Sequence, residues 1–330
     1  MTDPVLITGA SGFIGRHLVR RLAADGLALR ALVRPTSDVA ELERLGVELV
    51  VGDVTDWTTV CAAVKGCRRV VHLANVYSMW ERDPSIYRRI NVEGTRRVAQ
   101  AAAESELDLF LHVSSVVVFG RPDEVPFRER CAPGPERFSE YARTKFEADR
   151  VVEEFSVSHR LPLAIIYPAM VLGPGDPKSS GRYVDDVVHR RLPMAVFSDD
   201  VMTWVHVRDV AEAIARLLGR QDAAGARYVI GRHRLTWHQI NEVIREVSSV
   251  QPPRFEMPDW MARLTARVLT GVSTITGRPP HWGLSADAAR TVTNSIQADG
   301  TRAERELEFQ YTDILTTVED TIRGTEKGYR

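Results

Sequence analysis

Six short apolar runs, residues 5–7, 29–33, 47–51, 70–73, 109–113 and 163–167, recur along the first half of the chain, with stretches of helical periodicity between them. Runs that are apolar on both faces and alternate with helices predict parallel strands in βαβ units, with right-handed crossovers laying helices on both faces of one sheet. The predicted fold class is α/β with a doubly wound parallel sheet. After Gly173-Pro174-Gly175-Asp176-Pro177 the rhythm changes to shorter elements and loops, including Gln251-Pro252-Pro253. Trp204-Val205-His206-Val207 followed by Arg208-Asp209-Val210-Ala211-Glu212-Ala213 predicts a strand leading into a helix that returns the chain to the larger domain. The expected division is a larger domain from residues 1–172 and about 204–230, with a smaller C-terminal substrate domain from about 173–203 and 231–330, consistent with 330 residues.

Composition narrows the class of protein. Apolar residues make up 44% and charged residues 26%, as in an ordinary globular chain. Lys and Arg total 43 against 44 for Asp and Glu, which argues against nucleic acid as a partner. Cys61, Cys67 and Cys131 are odd in number and lack metal-ligand or C-x-x-C spacing, so they are expected to be reduced thiols, with no metal site. No basic leader with an apolar core and no uncharged run of about 18 apolar residues occurs, so the expectation is a cytoplasmic protein without stable membrane insertion. An amphipathic stretch over residues 260–272 is expected to pack on its own domain rather than lie on a membrane surface.

Chemistry enters with Gly9-Ala10-Ser11-Gly12-Phe13-Ile14-Gly15, set between the first strand and an amphipathic helix carrying Ile14, Leu18, Val19 and Leu22. In that context one glycine allows a tight turn, another lets the backbone approach a pyrophosphate, and the last lets helix and strand pack closely. The helix N-terminus then offers N–H groups and partial positive charge to the phosphates. The second strand ends at Arg34, where an NAD site usually carries an acidic residue for the ribose 2'-hydroxyl. An arginine there favours a 2'-phosphate, so NADP(H) is expected over NAD(H). Asp53 and Val54, after the third strand, are placed to flank the adenine.

Tyr141 and Lys145 are four residues apart, on one face of a helix. The chain holds only four lysines and 8 tyrosines, so chance alone gives about 0.1 such pairs. A strand, Leu111-His112-Val113, runs into Ser114-Ser115, 26 residues before the tyrosine. With Thr8 to Gly15, Gly52-Asp53-Val54, His72-Leu73-Ala74, Asn91-Val92-Glu93-Gly94-Thr95 and Val205 to Val210, these residues make the chain resemble an extended short-chain dehydrogenase/reductase over most of its length. The resemblance implies a Rossmann-type fold in which Ser115 hydrogen-bonds the substrate carbonyl, Tyr141 exchanges the proton and Lys145 holds the nicotinamide ribose. It also implies that Leu73, Ala74, Pro168 and Val171 line the cofactor, and it implies a homodimer. A free tyrosine titrates near ~10; a neighbouring ammonium and an oxidised nicotinamide are expected to favour its phenolate. Asn91 matches the position that supports the lysine, with helix capping as the equal alternative. His72 is expected to be a satisfied core histidine, and Ser114 a structural or ribose contact.

Two subgroups of the family compete. Nucleotide-sugar epimerases resemble one another in an Asn after the sixth strand and an Arg before a later aromatic, both contacting the diphosphate; here Met170 and Met202 stand in those places. Thioethers there supply a pliable apolar wall instead of polar contacts. Tyr77, Trp80, Phe119, Met170, Tyr183 and Trp204, together with Met79, are candidate walls of an apolar substrate pocket. The expected function is reversible reduction of a ketone or aldehyde of an apolar small molecule to an alcohol, resembling dihydroflavonol reductases. The alternatives are a sugar-nucleotide epimerase or dehydratase with tightly held NAD(P), which a likeness of residues 32–38 and 80–84 to bacterial proteins labelled hopanoid-associated sugar epimerases keeps open, and a catalytically inactive nucleotide sensor.

Overall fold

The computed structural model describes residues 3–176 and 178–326. Its strands are β1 (Val5–Thr8), β2 (Leu29–Val33), β3 (Glu48–Val51), β4 (Arg69–His72), β5 (Leu109–Val113), β6 (Leu163–Pro168), β7 (Met170–Leu172), β8 (Val201–His206), β9 (Arg227–Ile230) and β10 (His233–Thr236). Seven of them form one parallel sheet in the order β3-β2-β1-β4-β5-β6-β9, and β10-β8-β7 form a second, three-stranded sheet. The six apolar runs are β1 to β6, each end within one residue of the expectation. Every residue of β1, β5 and β6 is buried, as helices on both faces require, whereas the edge strand β3 keeps Glu48 and Val51 in solvent.

Strand order reverses between β1 and β4. In a doubly wound sheet a ligand crevice opens at such a point, beyond the carboxyl ends of the strands. The glycine loop leaves β1 there, and Leu73 and Ala74 leave β4 beside it.

Beyond β6 the chain alternates between the two sheets. β7 and β8 pair in parallel, Met170 with Trp204 and Leu172 with His206, so residues 170–172 and 201–206 lie in the smaller sheet. The helix Val207–Leu218 then returns to the main body, where Glu212 meets Arg21 of the helix Phe13–Ala24 at 2.5 Å, and β9 closes the large sheet beside β6. One apolar core runs without interruption from Val5 to Ile322 across both sheets. Only the distal C-terminal part has a core of its own, made by Phe197, Ala262, Ala266 and Ala289. The amphipathic stretch forms the helix Asp259–Thr276, which packs through Ala262, Ala266 and Ser273 and leaves its large apolar side chains outside. No described helix is long and apolar enough to cross a membrane.

Candidate active site

The nucleotide side of the crevice is shaped by absent side chains. Gly9 turns the chain at φ +75°, and a Cβ there would lie 2.8 Å from the Ala74 nitrogen and 2.9 Å from the Leu73 carbonyl carbon. A Cβ at Gly15 would collide with the Gly9 carbonyl oxygen. Gly12 is exposed and opens the helix Phe13–Ala24 with neither a side-chain cap nor an acidic residue in the first turn, which leaves the dipole's positive end to a ligand. Ser11 presents its carbonyl to Arg16 at 3.0 Å, Phe13 sets its ring edge on His17, and Ile14 packs into the core. Arg34 stands exposed just past β2, and among the described residues no carboxylate lies on it, whereas nearby Arg16 is held by Asp38 at 2.8 Å. Asp53 accepts from the Thr55 nitrogen and hydroxyl, stiffening the turn after β3, and Val54 is buried against Gly94. A bare, uncapped cradle with a free guanidinium at its far rim fits a dinucleotide phosphate ester.

The reactive side is built by β5 and the helix Glu140–Ser158. Ser139 caps that helix by accepting from the Ala142 nitrogen at 3.1 Å, which sets its first turn over the end of β5. Tyr141, Lys145 and Asp149 then follow at intervals of four on its buried face. Ser115, in extended conformation at the start of a short 3-10 turn (Val116–Phe119), accepts from the Val117 nitrogen through its hydroxyl and lies close enough to Tyr141 to favour its phenolate. The Tyr77 ring packs edge-on against Tyr141 at 5.3 Å between centroids. Lys145, 2% exposed, donates to the Val113 carbonyl at 2.8 Å. Ser115, Tyr141 and Lys145 are thus brought together with Tyr77.

Burial governs the protonation of Tyr141 and Lys145. Burial pushes the Tyr141 phenol well above its ordinary range, with Tyr77 and Asp149 acting in the same direction and Ser115 in the other. Burial thus favours the neutral phenol. Burial also lowers the Lys145 ammonium to about 8, and the Asp149 carboxylate opposes that shift.

Asp149 is a buried ionisable group beside these residues that the sequence reading did not name. It accepts from the Ser114 hydroxyl at 2.8 Å and from His112 Nε2 at 3.0 Å, and burial raises it to about 7 despite Lys145. His112, kept neutral by burial, then carries its proton on Nε2 and leaves Nδ1 without a hydrogen-bond partner. The available signal was periodicity: Asp149 is one turn beyond Lys145, and His112 and Ser114 share a strand face. His72 is a fully satisfied core histidine, between Thr8 at 2.8 Å and Thr95 at 2.9 Å.

Other expectations change. Asn91 does not cap a helix. Inside a π-helical turn (Arg88–Gly94) its Oδ1 accepts from the Val76 nitrogen at 2.7 Å and its Nδ2 donates to Thr144 at 3.1 Å, tying the Tyr77 loop to the catalytic helix. Trp204 and Phe119 are corrected from pocket wall to core. Trp204 is completely buried edge-on to Trp237, because alternation along β8 turns its ring inward, and Phe119, at the end of the 3-10 turn, lies buried between Phe127 and Tyr167. Tyr183 is anchored to Asn241 at 2.8 Å. Tyr77, Met79, Trp80 and Met170 remain half-buried. Pro168 ends β6 opposite Ile230, and Val171 accepts the Ser180 hydroxyl through its carbonyl.

Residues 5–231 match the model of the NAD dependent epimerase/dehydratase family. The chain is 27% identical to a putative dihydroflavonol 4-reductase of Synechocystis sp., over 98% of this chain and 94% of that protein. It is 29% identical to sterol demethylase protein B of Methylococcus capsulatus, over 96% of each. The solved structure titled gox2253 superposes with a TM-score of 0.84 at 30% identity, covering 99% of this chain and 98% of that one. With a seven-stranded Rossmann sheet and a family match across two thirds of its length, the chain belongs to the NAD dependent epimerase/dehydratase family, the extended short-chain dehydrogenase/reductases, and is an NAD(P)-dependent enzyme.

Proposed function

We propose that the protein is an NADP(H)-dependent reductase that converts a ketone or aldehyde of a largely apolar small molecule to the alcohol, reversibly. The observation that carries this reading is Ser115 set beside the buried Tyr141 phenol, with the Tyr77 ring packed edge-on against it. The dinucleotide would be held by Gly9, Ser11, Gly12, Phe13, Ile14 and Gly15 at its phosphates, Arg34 at a 2'-phosphate, Asp53 and Val54 at the adenine, and Leu73, Ala74, Lys145, Pro168 and Val171 toward the nicotinamide end. When bound, NADPH supplies the hydride that a carbonyl carbon accepts.

The chain's own residues do the rest. Ser115 donates a hydrogen bond to the carbonyl oxygen and polarises it. Tyr141, a neutral phenol in a dry setting, gives its proton to that oxygen as negative charge grows there. Lys145 keeps an ammonium close beneath the helix, and Asn91 fixes the loop that brings Tyr77 over the phenol. Met170 and Met202 offer no donor for a diphosphate, and relatives named for flavonoid and sterol chemistry support a polycyclic apolar substrate.

The test follows nicotinamide absorbance while the protein meets a panel of cyclic ketones and aldehydes with NADPH. Net consumption is expected, and Tyr141→Phe is expected to lose about 10²- to 10⁴-fold in turnover while still binding NADPH. Unchanged turnover in Tyr141→Phe removes the acid role, and isomerisation of a nucleotide sugar without net consumption replaces the reductase with an epimerase.

A further inference from the structure

Seven of the twelve large apolar side chains exposed among the described residues fall within residues 255–282: Phe255, Trp260, Leu264, Val268, Val272, Ile275 and Trp282. Five of them, from Trp260 to Ile275, are spaced by four, four, four and three residues, so they form one stripe along the helix Asp259–Thr276, opposite the Ala262 and Ala266 side that packs inward. Trp260 is 67% and Ile275 88% exposed. Scattered apolar residues on a surface are ordinary, but a continuous stripe about 22 Å long that begins at a tryptophan is not.

Charge around the stripe is biased. Residues 251–283 carry Arg254, Arg263, Arg267 and Arg278 against Glu256 and Asp259, in a chain whose net charge is −1. The two acids, with Asp199 and Asp200 of the adjoining loop, gather at the helix N-terminal end, where Asp259 lies 3.8 Å from Arg263 and Asp200 faces both. From Leu264 to Thr276 the helix has no acidic residue, while Arg267 flanks the stripe and Arg278 follows the Gly277 cap.

The C-terminal end of the stripe also adjoins the reactive site. A Cβ at Gly277 would lie 3.0 Å from Arg82 Nε, and Ser285 donates to the Met79 carbonyl at 2.7 Å, so the helix end rests on the loop carrying Tyr77 and Trp80.

We propose that this face docks in the plane of an anionic lipid bilayer, the stripe entering the acyl boundary and Arg267 and Arg278 meeting lipid phosphates, with the Tyr77 loop brought to the membrane surface. An apolar stripe bordered by arginines and begun by a tryptophan suits that interface, and no described helix is long and apolar enough to cross it. The inference does not depend on the reductase reading, because vesicle binding is read without turnover.

The experiment is flotation of the full chain with vesicles of phosphatidylcholine alone or mixed with phosphatidylglycerol. The protein is expected to float with the mixed vesicles and more weakly with phosphatidylcholine alone. Leu264→Ser with Val268→Ser is expected to weaken binding about tenfold for each exchanged side chain. Arg267→Gln with Arg278→Gln is expected to erase the preference for the anionic vesicles. Unchanged thermal unfolding shows that the variants are folded, and Val272→Ser with Ile275→Ser is the second pair should the first fail to fold. Failure of the native chain to float, or variants that float as it does, overturns the proposal. So does a native dimer that the serine variants convert to monomers, which would assign the face to a second copy of the chain.

Discussion

Around β1 and β4 the backbone packs so closely that a single methyl group has nowhere to go: a Cβ at Gly15 runs into the Gly9 carbonyl, and one at Gly9 reaches the Leu73–Ala74 peptide. Along the distal helix Asp259–Thr276 a Cβ at Gly271 would meet nothing within 4 Å, and the buried side offers only Ala262, Ala266 and Ser273. The first region is a crevice in which backbone approaches backbone without side chains between them, the shape the proposed phosphate contact requires. The second has a four-residue core and turns its large apolar side chains outward, so its own interior does not account for its sequence. Packing density thus separates the glycine-lined crevice of the large sheet from the distal helix Asp259–Thr276.

The largest expected effect comes from Gly15→Ala. Backbone on backbone cannot yield as a flexible side chain can, so overpacking of about 1–3 kcal/mol or more is expected. Thermal unfolding and NADPH fluorescence titration should both show the loss. Native values in both would mean that the loop is looser than its geometry.

Arg34→Ala should act at the rim of the same region without disturbing its packing, because the side chain is exposed. A charge-assisted contact to a 2'-phosphate contributes about 1.5–3 kcal/mol, so NADP affinity should fall roughly 10- to 100-fold while NAD affinity stays close to native. A native chain that prefers NAD, or a preference untouched by the change, would show that Arg34 reads nothing.

Asp149→Asn tests the buried row of the catalytic helix. Asp149 opposes the burial that brings Lys145 to about 8, so its removal should lower the ammonium further and move the alkaline limb of kcat/KM to lower pH, by about one unit. A merely structural loss would lower kcat at every pH and leave the limb in place. Stability supplies an independent sign. With Asp149 raised to about 7 against an ordinary carboxylate near ~4, the folded state binds more protons across that interval. The stability this group contributes is complete below about 4 and is lost as pH rises through about 7; the asparagine variant should lack that decline.

The two regions were also unequally legible in the sequence. β1 to β6 could be read to within a residue because strands buried on both faces leave unbroken apolar runs, and Gly9, Gly12 and Gly15 because their spacing reports a backbone shape. β9 was hidden: Arg227-Tyr228-Val229-Ile230 is a short run at the sheet edge, and only pairing with β6 identifies it. Asp149 escaped because burial, which no spacing announces, is what couples it to Lys145. Trp204 and Phe119 were assigned to a pocket for being large and aromatic; the direction of the Trp204 ring depends on strand register across β7, β8 and β10, and that of Phe119 on packing against Phe127 and Tyr167, both tertiary properties. The same limit applied to residues 260–272, whose periodicity announced an amphipathic helix but not which of its faces would be covered.

The smallest expected effect is the sharpest test of the comparison, since it repeats the Gly→Ala change in the looser region. Gly271 sits inside the helix Asp259–Thr276 with open space where its Cβ would stand, so alanine brings no clash and removes freedom from the unfolded chain. A gain of about 0.5–1 kcal/mol is expected, or roughly 1–3 °C in unfolding temperature, opposite in sign to Gly15→Ala. Scanning calorimetry of both variants reads the pair directly. A loss at Gly271 as large as that at Gly15 would mean that the outer face of the helix is covered in solution, and the contrast between a tightly cut body and an open cap would no longer stand.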